Sequence, residues 1–578
     1  MKALLHKLSP SLIVALLLFI WWLFNLLTAA TVELANDEAY YWWWATGCGL
    51  DWGYYDHPPA VAFMIWLTRW LPGELGVRFA VTLLQPLYLF LLWRMWVSYR
   101  PEVTNKTALI FMAVVFSVPL LQLYGLLALP DAPLLFSATL FIWALLRLRR
   151  APSLLNAILV GVATALIGYS KYQGILLVAT GFVVYVTSEL TERTNIRKSL
   201  ILCVIWVLTA LLIYMPHLLW LYHHDWAPLR YHLIERSARP YKPVFVLEYL
   251  ANLAVAFNPL LIYFLVKALI GAGKKHYSAH QRFTHSLMFW TLVVYALFFL
   301  LASFRGRTQP QWNLVAALPY VWFVMYGYEE CFSGKLKKIF RWMLYISIVI
   351  MLCVRILAML NPMHLEGELW NNRQRCEAIA KVAQERPVVV LHNYTLPCKY
   401  MFYTHGEACC IPVYYERDSQ WKYTSSDSTY AFGPAVAIVQ SWCSDKVVPD
   451  SGRDPLHYIE IEHYLPLSRI CVELLSADVV NDSLSALVRV TNPYPYSISR
   501  NDENQLQLRL STMITSKDEA STITPFDETI PAHSTKDIKV QFALGRMSNS
   551  LYDRPLRLGI ESHGLTASIN SVPTTLTH

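Results

Sequence analysis

Apolar runs of about 20 residues, the length an α-helix needs to cross a bilayer, recur through the first 360 residues and then stop. Many such runs leave a chain little choice of environment. In lipid every backbone amide must find its partner inside the protein, and spanning helices achieve that. The runs fall at approximately 10 to 30, 77 to 97, 107 to 124, 132 to 148, 154 to 170, 173 to 188, 199 to 220, 249 to 270, 286 to 302, 312 to 328 and 340 to 358, which predicts eleven helices. Composition agrees: 55% of the 578 residues are hydrophobic, 15% are charged and the mean hydropathy is +0.36, which excludes an ordinary soluble enzyme and a disordered or fibrous chain.

Short loops carry a second signal, because Lys and Arg concentrate on the cytoplasmic side. Every second connection is basic: Lys2 and Lys7; Arg94, Arg100 and Lys106; Arg147, Arg149 and Arg150; Arg193, Arg197 and Lys198; Lys274, Lys275 and Arg282; Lys335, Lys337, Lys338 and Arg341. This alternation predicts a cytoplasmic N-terminus and an external tail. The segment 58 to 72, PPAVAFMIWLTRWLP, is short and flanked by prolines, so it reads as an interfacial or re-entrant helix. The first helix follows two lysines as a signal peptide does, but no small-residue cleavage site is suitably placed, and it reads as a retained anchor.

Charge divides at the same boundary, near Asn361 and Pro362. Residues 1 to 360 hold 29 Lys and Arg against 15 Asp and Glu, a balance of +14; residues 361 to 578 hold 19 against 25, a balance of −6. The total of +8 is mostly loop anchoring, and without a basic tract it does not point to nucleic acid. The expected organisation is a membrane domain over 1 to 360, a small external α/β domain over 361 to 464 and an external β-sandwich over 465 to 578. The α/β part opens with an amphipathic stretch, 363 to 385, and continues through PVVVLHN, KYMFYTH and CCIPVYY. In the last part SALVRVTN, NQLQLRLST and KDIKVQFAL alternate as half-buried strands do. Cys376, Cys398, Cys409, Cys410, Cys443 and Cys471 lie in the tail, where an oxidising compartment preserves disulfides. With no CxxC and no clustered His/Cys set, they read as structural bridges or buried thiols.

Ten of the 15 acidic residues in the membrane part fall on the predicted external side. They concentrate after helix 1, in TVELANDEAYYWWWATGCGLDWGYYDHPPA, with Glu33, Asp37, Glu38, Asp51 and Asp56 among Tyr40, Tyr41, Trp42, Trp43, Trp44, Trp52, Tyr54 and Tyr55. Such aromatic density suits the headgroup level, and aromatic faces also suit sugar rings. Tyr40, Tyr41, Asp56 and Trp312 are the expected sugar or acceptor contacts. A carboxylate at the membrane edge is costly to desolvate, so Asp37 and Glu38 are candidates for chemistry; the alternative is that they only cap the helix they begin. Asp131, in LALPDAPLLF, carries the same two readings at the mouth of another helix. External cations also need a reason: Lys171 in GYSKYQG, with Arg305 and Arg307 in FRGRTQPQWN, suits a phosphate at the outer leaflet, the alternative being lipid headgroups. The loop 221 to 248 adds His223, His224, Arg230, Arg236, Arg239 and Lys242; for Arg236, Arg239 and Lys242 headgroup binding is the stronger reading.

Carboxylates, aromatic rings and phosphate-binding cations on one membrane face suit glycosyl transfer from a lipid phosphate. A transporter or flippase of a lipid-linked glycan is the alternative, but such proteins carry functional polar groups near the midplane, commonly with internal repeats, and neither is visible. A non-catalytic scaffold would leave Asp37, Asp131 and Lys171 without a purpose.

NDEAYYW, YYDHPPA, LPDAPLL, SKYQG and QPQWN, in this order over residues 10 to 330, resemble the bacterial members of the protein O-mannosyltransferase and lipid A aminoarabinose transferase superfamily. The resemblance implies a polytopic C-type glycosyltransferase fold using a sugar on a polyprenyl phosphate, usually undecaprenyl in bacteria, with no nucleotide-sugar donor. It implies Asp37 as general base beside Glu38, Asp131 as a second catalytic carboxylate, and Lys171 near the donor phosphate; Arg305, Arg307 and His57 are the further candidate phosphate contacts. The aminoarabinose transferases have an acidic residue and Lys before the two prolines; here Asp56 and His57 stand there. These two, with His217, His223 or His224, are donors of a kind that suits a divalent metal; alternatively His57 bonds a phosphate or a carboxylate. The expected enzyme is an inverting transferase of the bacterial inner membrane, its tail in the periplasm, with a protein, lipid A, or another lipid or glycan as acceptor. The tail, too, resembles the external extensions of such transferases, in CKYMFYTHGEACCIPVYYERDSQWKY, and acceptor selection, shielding or a structural role stays open for it.

Overall fold

Helices begin where a side chain takes up amides that the first turn leaves open. Ser9 accepts from Leu12 ahead of Pro10–Thr31, Ser153 accepts from Asn156, and Thr104 with Thr107 and Ser278 with Gln281 form capping boxes. The protein is described by a computed structural model over residues 8–192, 195–231, 241–423, 426–512, 520–547, 551–552 and 554–576. The chain forms two units, one of Met1–Val32 with Tyr41–His364 and one of Glu33–Tyr40 with Leu365–His578.

In the first unit, seven helices among the described residues are long and apolar enough to cross a membrane: Pro10–Thr31, Gly73–Tyr99, Asp131–Arg150, Tyr172–Thr191, Ile196–His223, Ala279–Ser303 and Gly334–Leu360. Pro243–Ala256 and Pro259–Ala272, bent by 80°, make an eighth if they form one span. The protein is therefore a multi-pass membrane protein, and the described residues do not confirm an exact count of eleven. The run 107 to 124 breaks at Ser117 and Val118, ahead of Pro119, into two short helices. Leu154–Ser170 has only 17 residues. The run 312 to 328 starts in a 3₁₀ turn, and every residue of its Ala317–Tyr326 helix is buried. A helix apolar on all sides is what the middle of a bundle requires. The proline-flanked segment forms a nine-residue helix, Ala60–Thr68, about 13 Å long at the α-helical rise and too short to span.

Several buried polar groups inside this unit are matched. Asn258, at the 80° bend and with φ of 69°, donates to the Ser117 carbonyl at 3.0 Å and to Ser347 Oγ at 2.8 Å, and accepts from the Leu260 amide. Arg355, inside Gly334–Leu360, donates to Gln122 Oε1 and Thr28 Oγ1, both at 3.0 Å, and lies over the Phe24 ring. Arg78, fully buried, donates to the carbonyls of Ala29 and Val32 at the C-terminal end of the first helix, where the helix dipole favours a cation.

The second unit holds a four-stranded sheet in the order β2-β1-β3-β4, from β1 (Val388–Leu391), β2 (Ala408–Ile411), β3 (Ala435–Val439) and β4 (His457–Ile461). β1 runs parallel to β2 and β3; β4 is antiparallel. Strands β1 to β3 are buried along their whole length, and the helices Asn372–Ala383 and Leu396–Thr404 contribute Ile379 and Tyr400 to the same core. Two three-stranded sheets follow: β5 (Cys471–Val480), β6 (Ser483–Asn492) and β9 (Ser534–Ala543) in the order β5-β6-β9, and β7 (Gln507–Thr512), β8 (Ser521–Pro525) and β10 (Leu556–Glu561) in the order β10-β7-β8. Val472, Leu484 and Val488 of one and Leu508, Leu510 and Leu558 of the other share a core, as the alternation in SALVRVTN predicted. Among the described residues no disulfide joins the six tail cysteines; Cys376, Cys398, Cys409 and Cys410 are buried thiols.

Candidate active site

Asp131 opens the helix Asp131–Arg150, and no side-chain cap forms there. Instead its carboxylate takes the Lys171 ammonium on both oxygens, at 2.9 and 2.8 Å. Lys171 follows the last residue of Leu154–Ser170, so the anion stands at a helix N-terminus and the cation at a helix C-terminus, and each dipole favours the charge it meets. Both residues are buried. A charge in such a place is tolerable only when paired. LPDAPLL and SKYQG are thereby joined, and SKYQG reaches QPQWN as well: Gln173 Nε2 donates to the Trp312 carbonyl at 3.5 Å, while the Gln173 carbonyl accepts from Tyr295 at 3.3 Å.

The loop after helix 1 is pinned by rings. Trp44 stacks on Tyr54 with centroids 4.4 Å apart, and Tyr41 meets Trp44 at 4.7 Å and His57 at 6.1 Å. His217 Nδ1 donates to the Trp52 carbonyl at 2.6 Å, Trp220 Nε1 donates to Asp51 Oδ2 at 2.8 Å, and His224 stacks on Trp220. Gly53 lies under Trp220, where a Cβ would come within 2.4 Å of the ring, so only glycine fits. His217 and His224 are thus engaged with the backbone and rings. Among the described residues no group of three or more His, Cys, Asp and Glu is placed to hold a metal ion. The ligand set of Asp56 and His57 with a third histidine is therefore not assembled, and no step below uses a metal.

Of the other cations, Arg307 pairs with Glu248 at 2.9 Å, whereas Arg305 is exposed and makes no side-chain bond among the described residues. Trp312 is half-buried against Phe299. Lys242 is exposed; Arg236 and Arg239 lie outside the described residues.

Asp37, Glu38 and Tyr40 belong to the second unit. Asp37 is half-buried in the first turn of Asn36–Trp43. Glu38 is fully buried and accepts from the Ala35 amide at 3.0 Å, the capping task considered for it. Tyr40 Oη accepts from the Gln420 amide at 2.7 Å, and its ring meets Tyr394 edge-on. Glu33, which carried no assignment from sequence, accepts from the amides of Asn372 at 2.5 Å and Arg373 at 3.3 Å. Glu248, Gln173 and Arg355 are further residues the sequence reading passed over, each defined by a partner distant in the chain.

Known proteins share the fold and part of the sequence. The dolichyl-phosphate-mannose-protein mannosyltransferase family matches residues 56–220, a stretch that holds Asp56, His57, Asp131 and Lys171. The crystal structure of ArnT from Cupriavidus metallidurans in the apo state has a TM-score of 0.55 at 13% identity, covering 77% of this chain and 96% of that one. The same protein bound to undecaprenyl phosphate gives 0.53 at 12%, covering 78% and 97%. No curated protein sequence matches the chain. The chain thus has the fold of the ArnT structures.

Proposed function

We propose that the protein transfers one sugar from a polyprenyl phosphate to an acceptor on the outer face of a bacterial inner membrane, with inversion at the anomeric carbon. The observation that carries this reading is the buried Asp131–Lys171 pair at two helix ends, within a fold like that of a protein seen with undecaprenyl phosphate bound. Asp37 takes the proton of the acceptor hydroxyl as its oxygen attacks the anomeric carbon; the bond from that carbon to the phosphate oxygen breaks. The donor phosphodiester carries one negative charge and the departing polyprenyl phosphate two, so cations are needed most as the reaction ends. Arg305, whose side chain makes no bond among the described residues, is the readiest of them, and Lys171 contributes a charge held in place by Asp131. Arg307 and His57 are the further phosphate contacts. Tyr41, Asp56 and Trp312, with Tyr40, are the proposed sugar or acceptor contacts. The alternating basic loops support a cytoplasmic N-terminus and a periplasmic tail.

The test is incubation of the purified protein with a panel of undecaprenyl-phosphate sugars and extracted periplasmic proteins, lipids and glycans. Transfer of a single sugar with inverted configuration is the expected result. Translocation of the sugar lipid across a vesicle membrane without transfer would make the protein a flippase instead.

A further inference from the structure

The Asp37 segment is held by the tail. Residues Glu33–Tyr40 belong to the same unit as Leu365–His578, although more than three hundred residues separate them along the chain. Asn371, before the helix Asn372–Ala383, makes no side-chain cap; the Glu33 carboxylate supplies one from the other end of the sequence, on the amides of Asn372 and Arg373. Tyr403 Oη accepts from the Leu34 amide at 2.8 Å, and Glu368 Oε1 accepts from the Asn36 amide at 3.2 Å. Tyr40 closes the other side on Gln420 and Tyr394. Beneath them lies Lys399, buried, its ammonium donating to Asn372 Oδ1 at 2.8 Å and to the Glu368 carbonyl at 3.0 Å. Glu33, Glu38 and Glu368 all bear on that ammonium electrostatically, as does Cys376.

Asp37 thus lies between residues whose amides are held by tail side chains and whose carboxylate and hydroxyl are held by tail backbone amides. We infer that the tail is a working part of the catalytic centre: Tyr403 and Lys399 are positioning residues that set the Asp37 turn. This rests on the proposed role of Asp37 as base. A base must be placed to a fraction of an ångström, and a displacement of about 1 Å can cost on the order of 100-fold in rate. Acceptor selection by the tail does not require these contacts; setting the base does.

The experiment uses the full-length protein in detergent and the undecaprenyl-phosphate sugar that supports transfer in the panel above. Tyr403→Phe removes one oxygen and keeps the ring; Lys399→Met keeps the length of the stem. Amide hydrogen exchange at residues 33 to 40 is followed beside kcat and KM. The expected result is faster exchange at Leu34 and Asn36 in both variants, with kcat lowered by about tenfold and KM for the donor unchanged. Unchanged exchange, or faster exchange with full kcat, overturns the positioning role. Asp37→Asn separates the two ideas: if it retains activity, the base assignment falls and this inference with it. If Asp37→Asn is inactive while Tyr403→Phe and Lys399→Met are fully active, the base stands and the tail's part in setting it does not. Wild-type protein that transfers no sugar from any donor overturns both.

Discussion

Two acids singled out for the same reason are held in opposite ways. Asp131, in the membrane unit, is matched by one full charge, the Lys171 ammonium on both of its oxygens. The Asp37 turn, in the other unit, is matched by several dispersed interactions: a tyrosine hydroxyl, a glutamate, an edge-on ring and a helix N-terminus. The dry environment explains the first, because two unpaired charges there would be far more costly than a closed pair. Where water is near, position is set by several hydrogen bonds, each with a net value of only about 1 kcal/mol. Stability at Asp131 is therefore concentrated in one pair, and position at Asp37 is distributed.

The largest effect is expected at the pair. Lys171→Met leaves a buried carboxylate alone and should destabilise the membrane unit by about 3–5 kcal/mol, read from thermal unfolding in detergent, while Asp131→Leu combined with Lys171→Met recovers most of the loss. A single change that costs nothing would show the pair to be solvated. Glu33→Ala removes only a cap and should cost about 1 kcal/mol, with the loss of protection confined to Asn372 and Arg373 and their neighbours. A cost as large as that at Lys171 would erase the contrast between the two regions.

Lys399 gives the sharpest signature. Burial pushes its ammonium down to about 8 from the ordinary 10.5, against the opposing pull of Glu368, Cys376, Glu33 and Glu38. Between those two pH values the unfolded chain holds a proton that the folded chain has released, so stability should rise with pH across that window. Below about 8 both states are charged and this contribution is flat. Lys399→Met should abolish the rise; a rise that persists undiminished assigns it to another group.

Most of the first unit was legible because lipid enforces its rule on local sequence: an apolar run must be a helix. Of the runs that do not form one long straight helix, two break ahead of Pro119 and Pro259, and Ala317–Tyr326 is apolar because protein surrounds it. Hydropathy does not tell a core helix from a lipid-facing one. The strands of the last sheets were legible from alternation, as in SALVRVTN, where burial follows every second residue. Asp131 and Lys171 were both named from sequence, but their pairing was not, since helix ends 40 residues apart meet only through packing. Glu33 was noticed only as one acid among several, because its task is to cap a helix 339 residues away. The cysteines show the same limit: compartment and spacing leave bridges and buried thiols equally open, and burial decides for the thiols in Cys376, Cys398, Cys409 and Cys410.

The central claim is that a carboxylate on the tail-held turn removes the acceptor's proton. Single-turnover transfer by Asp37→Asn, with the donor and acceptor that the wild-type protein uses, tests it directly. The replacement keeps the size of the side chain and removes its basicity, so the rate should fall at least about 100-fold, the lower range for loss of a general base, with donor binding intact. Transfer at the wild-type rate would contradict the claim.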